Sequence, residues 1–309
     1  MPRSVYLSLL VLSMIWGGSY YFIKILLEVF EPWTIVFFRS TLGLVTIILI
    51  MLLMRKSFEL KKIPWVWMTV VAAVNTAIPW AIIGFSEIRL TSNMAALLNS
   101  TTPLLSLLLG ILFFGTKAVR WHWVGISIGI IGLMILLGLK TNMVYIDIVG
   151  GIGMIVASLF YGLGSHLSKS LLKGLSPFQA TLGTLFFTSI ISGIVAISTE
   201  DIPLTKVVTP INLFVLIGLG IFGSGVAYIL FYFIVNRGTP VIATTVTYLI
   251  PVFSLVWGTL FLNESIHLNM IIGALLIMSG IFLTGKNSGK KEGIVNEVEN
   301  AENVPLSAK

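Results

Sequence analysis

Ser13, Trp16, Tyr20 and Lys24 follow one another at spacings of three, four and four, which lines them up along one face of a helix. Ser158, Tyr161, Ser165 and Lys169 repeat that stripe later in the chain. Hydroxyls, aromatic rings and an ammonium in this pattern suit the holding of a solute more than the making or breaking of bonds. A second pair of stripes is Ala95, Asn99, Pro103, Ser106 and Ala243, Thr247, Pro251, Ser254. Each proline removes a backbone donor, so Pro103 and Pro251 read either as hinges beside a cavity or as static kinks satisfied by Thr102 or Ser100. Asn75, Trp80, Ser224, Tyr228 and Tyr232 complete the polar and aromatic set. Trp16, Trp80, Tyr161 and Tyr228 would together make an aromatic cage for a flat or cationic solute, the alternative being bulk that faces lipid.

Catalytic chemistry finds little support. The chain has no cysteine, which excludes disulfides, thiolate nucleophiles and Cys-ligated metals. It carries no His-Glu-x-x-His motif, no paired aspartates and no Walker-type phosphate loop. Ser165 and His166 are adjacent, so on a helix they point about 100° apart. No catalytic group, metal ligand or cofactor is expected, and an enzyme is not the reading.

These residues must be positioned by apolar helices. Of 309 residues, 57% are hydrophobic and 10% charged, with a mean hydropathy of +1.02, against about 25% charged in soluble domains. Runs long enough to span a bilayer lie near 5–27, 33–54, 66–86, 92–113, 121–139, 148–168, 178–198, 211–234, 240–262 and 268–285. They are continuously apolar, unlike the weakly alternating segments of a membrane barrel. The expected fold is an all-α integral membrane protein of ten transmembrane helices, with the first as an uncleaved anchor.

With the N-terminus inside, fourteen of the 19 Lys and Arg fall on the cytoplasmic side and three, Arg89, Lys140 and Lys206, outside. That asymmetry puts both termini in the cytoplasm and makes the formal charge of +7 a record of topology and lipid contact, not of nucleic-acid binding. Lys24 and Arg39 remain within helices. An intramembrane arginine costs on the order of 2.5 to 3.5 kcal/mol at the bilayer centre and is a functional hypothesis by default. Arg39 either holds a substrate carboxylate or snorkels outward and pairs with Glu28 or Glu31. The acids assigned outside, Glu28, Glu31, Glu87, Asp147, Glu200, Asp201 and Glu264, all fall at helix ends or in loops. No carboxylate is therefore expected to carry protons, and His166 is the nearest titratable residue.

The chain repeats itself. "SMIWGGSYYFIK" at 13–24 runs parallel to "SLFYGLGSHLSK" at 158–169, a shift of 145 that also carries Pro32 onto Pro177. At a shift of 148, "RLTSNMAALLNSTTPLLS" from Arg89 matches "RGTPVIATTVTYLIPVFS" from Arg237, and Gly125 and Gly132 fall on Gly273 and Gly280. Residues 1–140 and 141–285 are thus two five-helix units, followed by a polar tail at 286–309 expected to be disordered in the cytoplasm. Five is odd, so the second unit enters the membrane from the opposite side. The repeats are inverted, an arrangement characteristic of secondary transporters. Gly17, Gly18, Gly162 and Gly164 read mainly as close-packing surfaces.

The order Trp16-Gly17 with Phe22, Pro32, Arg39, Arg89, Ala95 and Pro103, then Arg237, Ala243, Pro251, Glu264, Gly273 and Gly280, resembles the EamA family of the drug/metabolite transporter superfamily over about residues 5–285. The resemblance implies a ten-helix exporter or exchanger of small metabolites, amino acids or drugs in the cell membrane, with a central cavity lined from both halves. Thr116 stands where the second half has Glu264, and Thr184 stands opposite Arg39. The expected solute contacts are Trp16, Tyr20, Arg39, Asn75, Trp80, Asn99, Tyr161, Ser165, Tyr228 and Thr247, with hinges at Pro103 and Pro251. The expected partners are a small-molecule substrate and membrane lipids, with no nucleic acid. A membrane-embedded sensor or scaffold is the alternative, for which the short loops leave little surface.

Overall fold

The structure is a computed structural model that describes residues 3–137, 147–237 and 246–285, without the side chains of 232 and 235–237. The expected tail, Lys140, the Arg237 side chain and Ala243 lie outside the described residues. All regular structure among the described residues is helical. Eight helices are long and apolar enough to cross a membrane: α1 (Arg3–Leu26), α2 (Pro32–Leu53), α3 (Trp65–Glu87), α4 (Ser92–Phe113), α6 (Ile148–Leu171), α7 (Pro177–Thr199), α8 (Pro210–Phe231, continuing as helix to Arg237) and α10 (Leu268–Gly285). Two more are apolar but shorter, α5 (Arg120–Leu136) and α9 (Val246–Leu262). Each coincides with an apolar run of the sequence.

Helix starts show why the boundaries fall where they do. At α7 the Ser176 Oγ accepts from the Gln179 N–H (3.3 Å) while Gln179 Oε1 accepts from the Ser176 N–H (2.8 Å), and Pro177 occupies the first turn. That is a capping box followed by the residue whose missing N–H costs nothing there. Asp147 caps α6 by accepting from the Gly150 N–H (3.1 Å), and Thr91 caps α4 through the Met94 N–H (3.2 Å). Glu31, at the start of α2, makes no side-chain cap. Glu200, 166 residues from Thr34, does that work instead, accepting from the N–H groups of Trp33 (2.9 Å) and Thr34 (2.7 Å).

Three helices depart from regularity. In α3 the turn Ala73–Ala77 is π-helical, and Pro79 follows it. A proline there has no N–H for the Asn75 carbonyl, and widening the turn relieves its clash. In α8 the π-helical stretch is Ile217–Val226, which contains four glycines with little intrinsic preference for a tight α-turn. In α4 the helix breaks between Asn99 and Thr102, and the second piece restarts with Pro103 in its first turn. The carbonyls of Leu97, Leu98 and Asn99 each accept a hydroxyl three residues on, from Ser100 (2.6 Å), Thr101 (2.7 Å) and Thr102 (2.7 Å). Pro251 differs, lying inside the continuous α9.

Packing is closest where glycines meet. A side chain at Gly125 would strike the Gly280 carbonyl, and one at Gly132 would strike the Gly273 carbonyl, so the backbones of α5 and α10 touch. Gly17 lies against the backbone of Ile250 and Ser254 in α9, and Gly162 against that of Ser106 in α4. A core of Leu26, Leu97, Leu98, Leu136, Met154, Leu216 and Leu219 ties five helices together.

Candidate functional site: a central cavity

Between α1, α2, α3, α4, α6, α8 and α9 lies a cavity of about 270 Å³. Eight of the residues marked out by their spacing line it: Trp16, Tyr20, Arg39, Asn75, Trp80, Asn99, Tyr161 and Tyr228. Tyr20 from the first stripe and Tyr161 from its echo face the same space. Ser165 instead lines an adjoining cavity of about 390 Å³, which shares Asn75, Thr76 and Tyr228 with the first and reaches Leu172 beyond α6 and Ala180 in the first turn of α7. Thr184 lies in this second space as well. Thr247 lines neither; Ile250, one turn further along α9, takes its place in the central cavity.

The irregular turns build the walls. The π turn of α3 delivers Asn75 and Thr76, and that of α8 delivers Gly223, whose carbonyl accepts from Trp16 Nε1 (3.2 Å). Trp16 also meets Tyr228 edge-on, with centroids 6.3 Å apart. Asn99 Oδ1, at the break in α4, accepts from Ser158 Oγ (3.3 Å). The α4 break therefore sets an amide at the cavity wall and secures it from α6.

Among the described residues that line the cavity, Arg39 is the one that carries a charge. It is 9% exposed; Nε donates to Ser224 Oγ (2.9 Å), and Cζ lies 3.8 Å from the centroid of the Trp80 ring. Neither outward snorkelling nor pairing with Glu28 or Glu31 describes it. Among the described residues Nη1 and Nη2 have no hydrogen-bond partner. The Trp80 face of the expected aromatic cage is thus already covered by a cation that the protein supplies.

Polar seams lie beyond the cavity at the end where α1 finishes. Lys24 Nζ donates to the carbonyls of Glu87 and Leu90 (2.8 Å to the latter), closing the end of α3. The Glu264 carboxylate accepts from the N–H groups of Ser92 (2.7 Å) and Asn93 (2.9 Å) at the start of α4. Arg89 pairs with Asp147 at 3.0 Å. Glu87 itself is fully buried, and neither carboxylate oxygen has a hydrogen-bond partner. Glu87 ends α3, as its place in the sequence predicts, but that helix end lies buried inside the bundle. At the opposite end His166 stacks on Phe114 (centroids 4.5 Å apart), with Nε2 2.9 Å from the Ser106 carbonyl oxygen.

Spacing did not single out Ser19, Ile23, Thr76, Ile83, Gly223 and Ile250, all of which line the cavity. For Thr76 and Gly223 a signal existed, since Thr76 falls on Ser224 and Asn75 on Gly223 at the shift of 148.

These features define a class: a multi-pass membrane protein of apolar helices around a central cavity lined by polar and aromatic residues and sized for a small solute. The chain belongs to the EamA-like transporter family, whose sequence profile matches twice, at residues 3–138 and 148–286. It is 23% identical over 282 residues to "Uncharacterized transporter YoaV" of Bacillus subtilis, covering 90% of this chain and 96% of that one. It is 25% identical over 272 residues to "Protein PecM" of Dickeya dadantii, covering 87% and 88%. It is 26% identical over 261 residues to "Uncharacterized inner membrane transporter YedA" of Escherichia coli, covering 82% and 81%. A solved crystal structure shares the fold with a TM-score of 0.65 at 18% identity, covering 92% of this chain and 96% of that one.

Proposed function

We propose that the protein carries a small carboxylate-bearing solute with an apolar or aromatic body across the cell membrane by alternating access between two inverted five-helix halves, residues 1–140 and 141–285, with both termini cytoplasmic. The observation that carries the substrate reading is the free Nη edge of Arg39 in a cavity lined by no carboxylate among the described residues. The volume of about 270 Å³ is near the low end for small-molecule sites, about 300–1,000 Å³. Tyr20, Asn99 and Asn75 are placed to receive an amino or hydroxyl group.

Several pairings support inverted halves. Gly125 meets Gly280 while Gly132 meets Gly273, so two positions and their repeats exchange partners, as a two-fold axis requires. Gly17 against Ser254 and Gly162 against Ser106 exchange in the same way. The π turns of α3 and α8 also fall at matching positions. We read export as the direction, because the adjoining cavity extends toward the end at which α6 finishes, which is cytoplasmic in the orientation favoured by the basic residues. The break in α4 at Ser100–Thr101 would serve as a hinge, since its carbonyls keep hydroxyl partners that travel with them.

The test is transport by purified protein in liposomes, with a panel of amino acids, small carboxylates, quaternary amines and nucleosides, with and without a pH gradient. Carboxylates should cross. Passage of quaternary amines alone would sink the substrate reading, and silence across the panel from folded protein would sink transport itself.

A further inference from the structure

Glu87 is a carboxylate in an improbable place. It is 0% exposed, both oxygens lack partners, and it stands at the C-terminal end of α3, where the helix dipole is unfavourable to negative charge. Ile83, one turn earlier, lines the central cavity, and so does Ile23, next to Lys24. Glu87 therefore sits just past the cavity, in the seam that closes this end of the bundle.

Its surroundings decide how charge is shared. The charged and titratable groups near it are Lys24 and Tyr20 on α1, Arg39 on α2, and Glu264 at the start of α4. On the α6 side Asp147 is already paired with Arg89. Lys24 donates to the carbonyls of Glu87 and Leu90, not to the carboxylate. Glu264 receives two backbone N–H groups at the favourable end of α4, whereas Glu87 receives none. Glu87 thus lacks every donor that a buried charge needs.

We propose that Glu87 is a proton-binding site of the gate at this end: the proton, drawn from water, rests on the carboxylate while the end is closed, as here, and returns to water when the end opens. Acid then favours the closed state. The inference rests on the alternating-access reading, but neither test below needs a substrate.

The first test is infrared difference spectroscopy of the full chain in lipid. At neutral pH, where exposed carboxylates are ionised, a protonated-carboxyl C=O band should remain in wild type and in Glu264→Gln and be missing from Glu87→Gln. Its absence from wild type, or its survival in Glu87→Gln, would overturn the proposal. The second test uses the lack of native cysteine. Ile83→Cys is labelled from outside with an impermeant maleimide, and its rate is divided by that of the exposed Asp201→Cys at the same pH. The ratio should fall on acidification by up to about tenfold per pH unit, the limit for one linked proton. It should stay low at every pH with Glu87→Gln and respond again with Glu87→Asp. An unchanged pH response in Glu87→Gln would overturn the proposal. A silent solute panel alongside a positive band and pH response would instead remove the transport reading and leave the proton site standing.

Discussion

The Arg39 guanidinium lies 3.8 Å above the ring of Trp80, a contact between α2 and α3 that fixes a cation inside the aromatic cavity. Stacked on one face and held at Nε by Ser224, the guanidinium keeps its Nη edge for a guest. Arg39→Gln should lower uptake of carboxylate-bearing solutes by at least about tenfold, or about 1.4 kcal/mol, and spare neutral ones. Arg39→Lys should not restore it fully, since an ammonium keeps the charge but loses the planar fork. Uptake measured side by side for a carboxylate and its neutral amide checks this.

The touching backbones of α5 and α10 make a different prediction. Gly125→Val would drive two methyl groups into Gly280 and Thr284, at a cost of about 1–3 kcal/mol. Thermal unfolding in detergent should show a lowered midpoint. Solute preference should not change, because among the described residues neither helix lines the cavity.

Glu264 closes the start of α4 from another helix pair. Glu264→Gln keeps an acceptor but removes the charge that suits a helix N-terminus, and should cost about 1 kcal/mol. Glu264→Ala should cost more, leaving the Ser92 and Asn93 N–H groups without partners. Unfolding midpoints of the two variants, compared with wild type, should rank in that order.

Asp147 supplies a pH dependence. The Gly150 N–H first, and then Arg89, holds its carboxyl below the ordinary aspartate range. A depressed folded value means the stabilisation is present above the unfolded value, about 3.9, and is lost as pH falls through the lower folded one. Asp147→Asn should therefore lower the unfolding midpoint at neutral pH, and the difference from wild type should vanish in strong acid. A difference that persists there would point to packing instead.

Much of this protein was legible along the chain, because lipid imposes a strong rule: helices must be long and apolar, and polar residues must face inward. The ten helices and the faces bearing Trp16, Tyr20, Asn99 and Tyr161 follow from that rule and from helical spacing. The repeats, too, are a property of the letters, and their shift of 148 carries Trp80 onto Tyr228.

Tertiary structure decided what lies opposite each face. The sequence left Arg39 either facing a solute or snorkelling outward, and could not show that Trp80 and Ser224 await it, since these come from two other helices. Glu87, Glu200 and Glu264 look alike as helix-end acids; Glu200 and Glu264 cap helices far away in sequence, while Glu87 is buried without a partner. That distinction depends on which helix end arrives beside each carboxylate, and so on packing between halves of the chain, which local sequence does not encode.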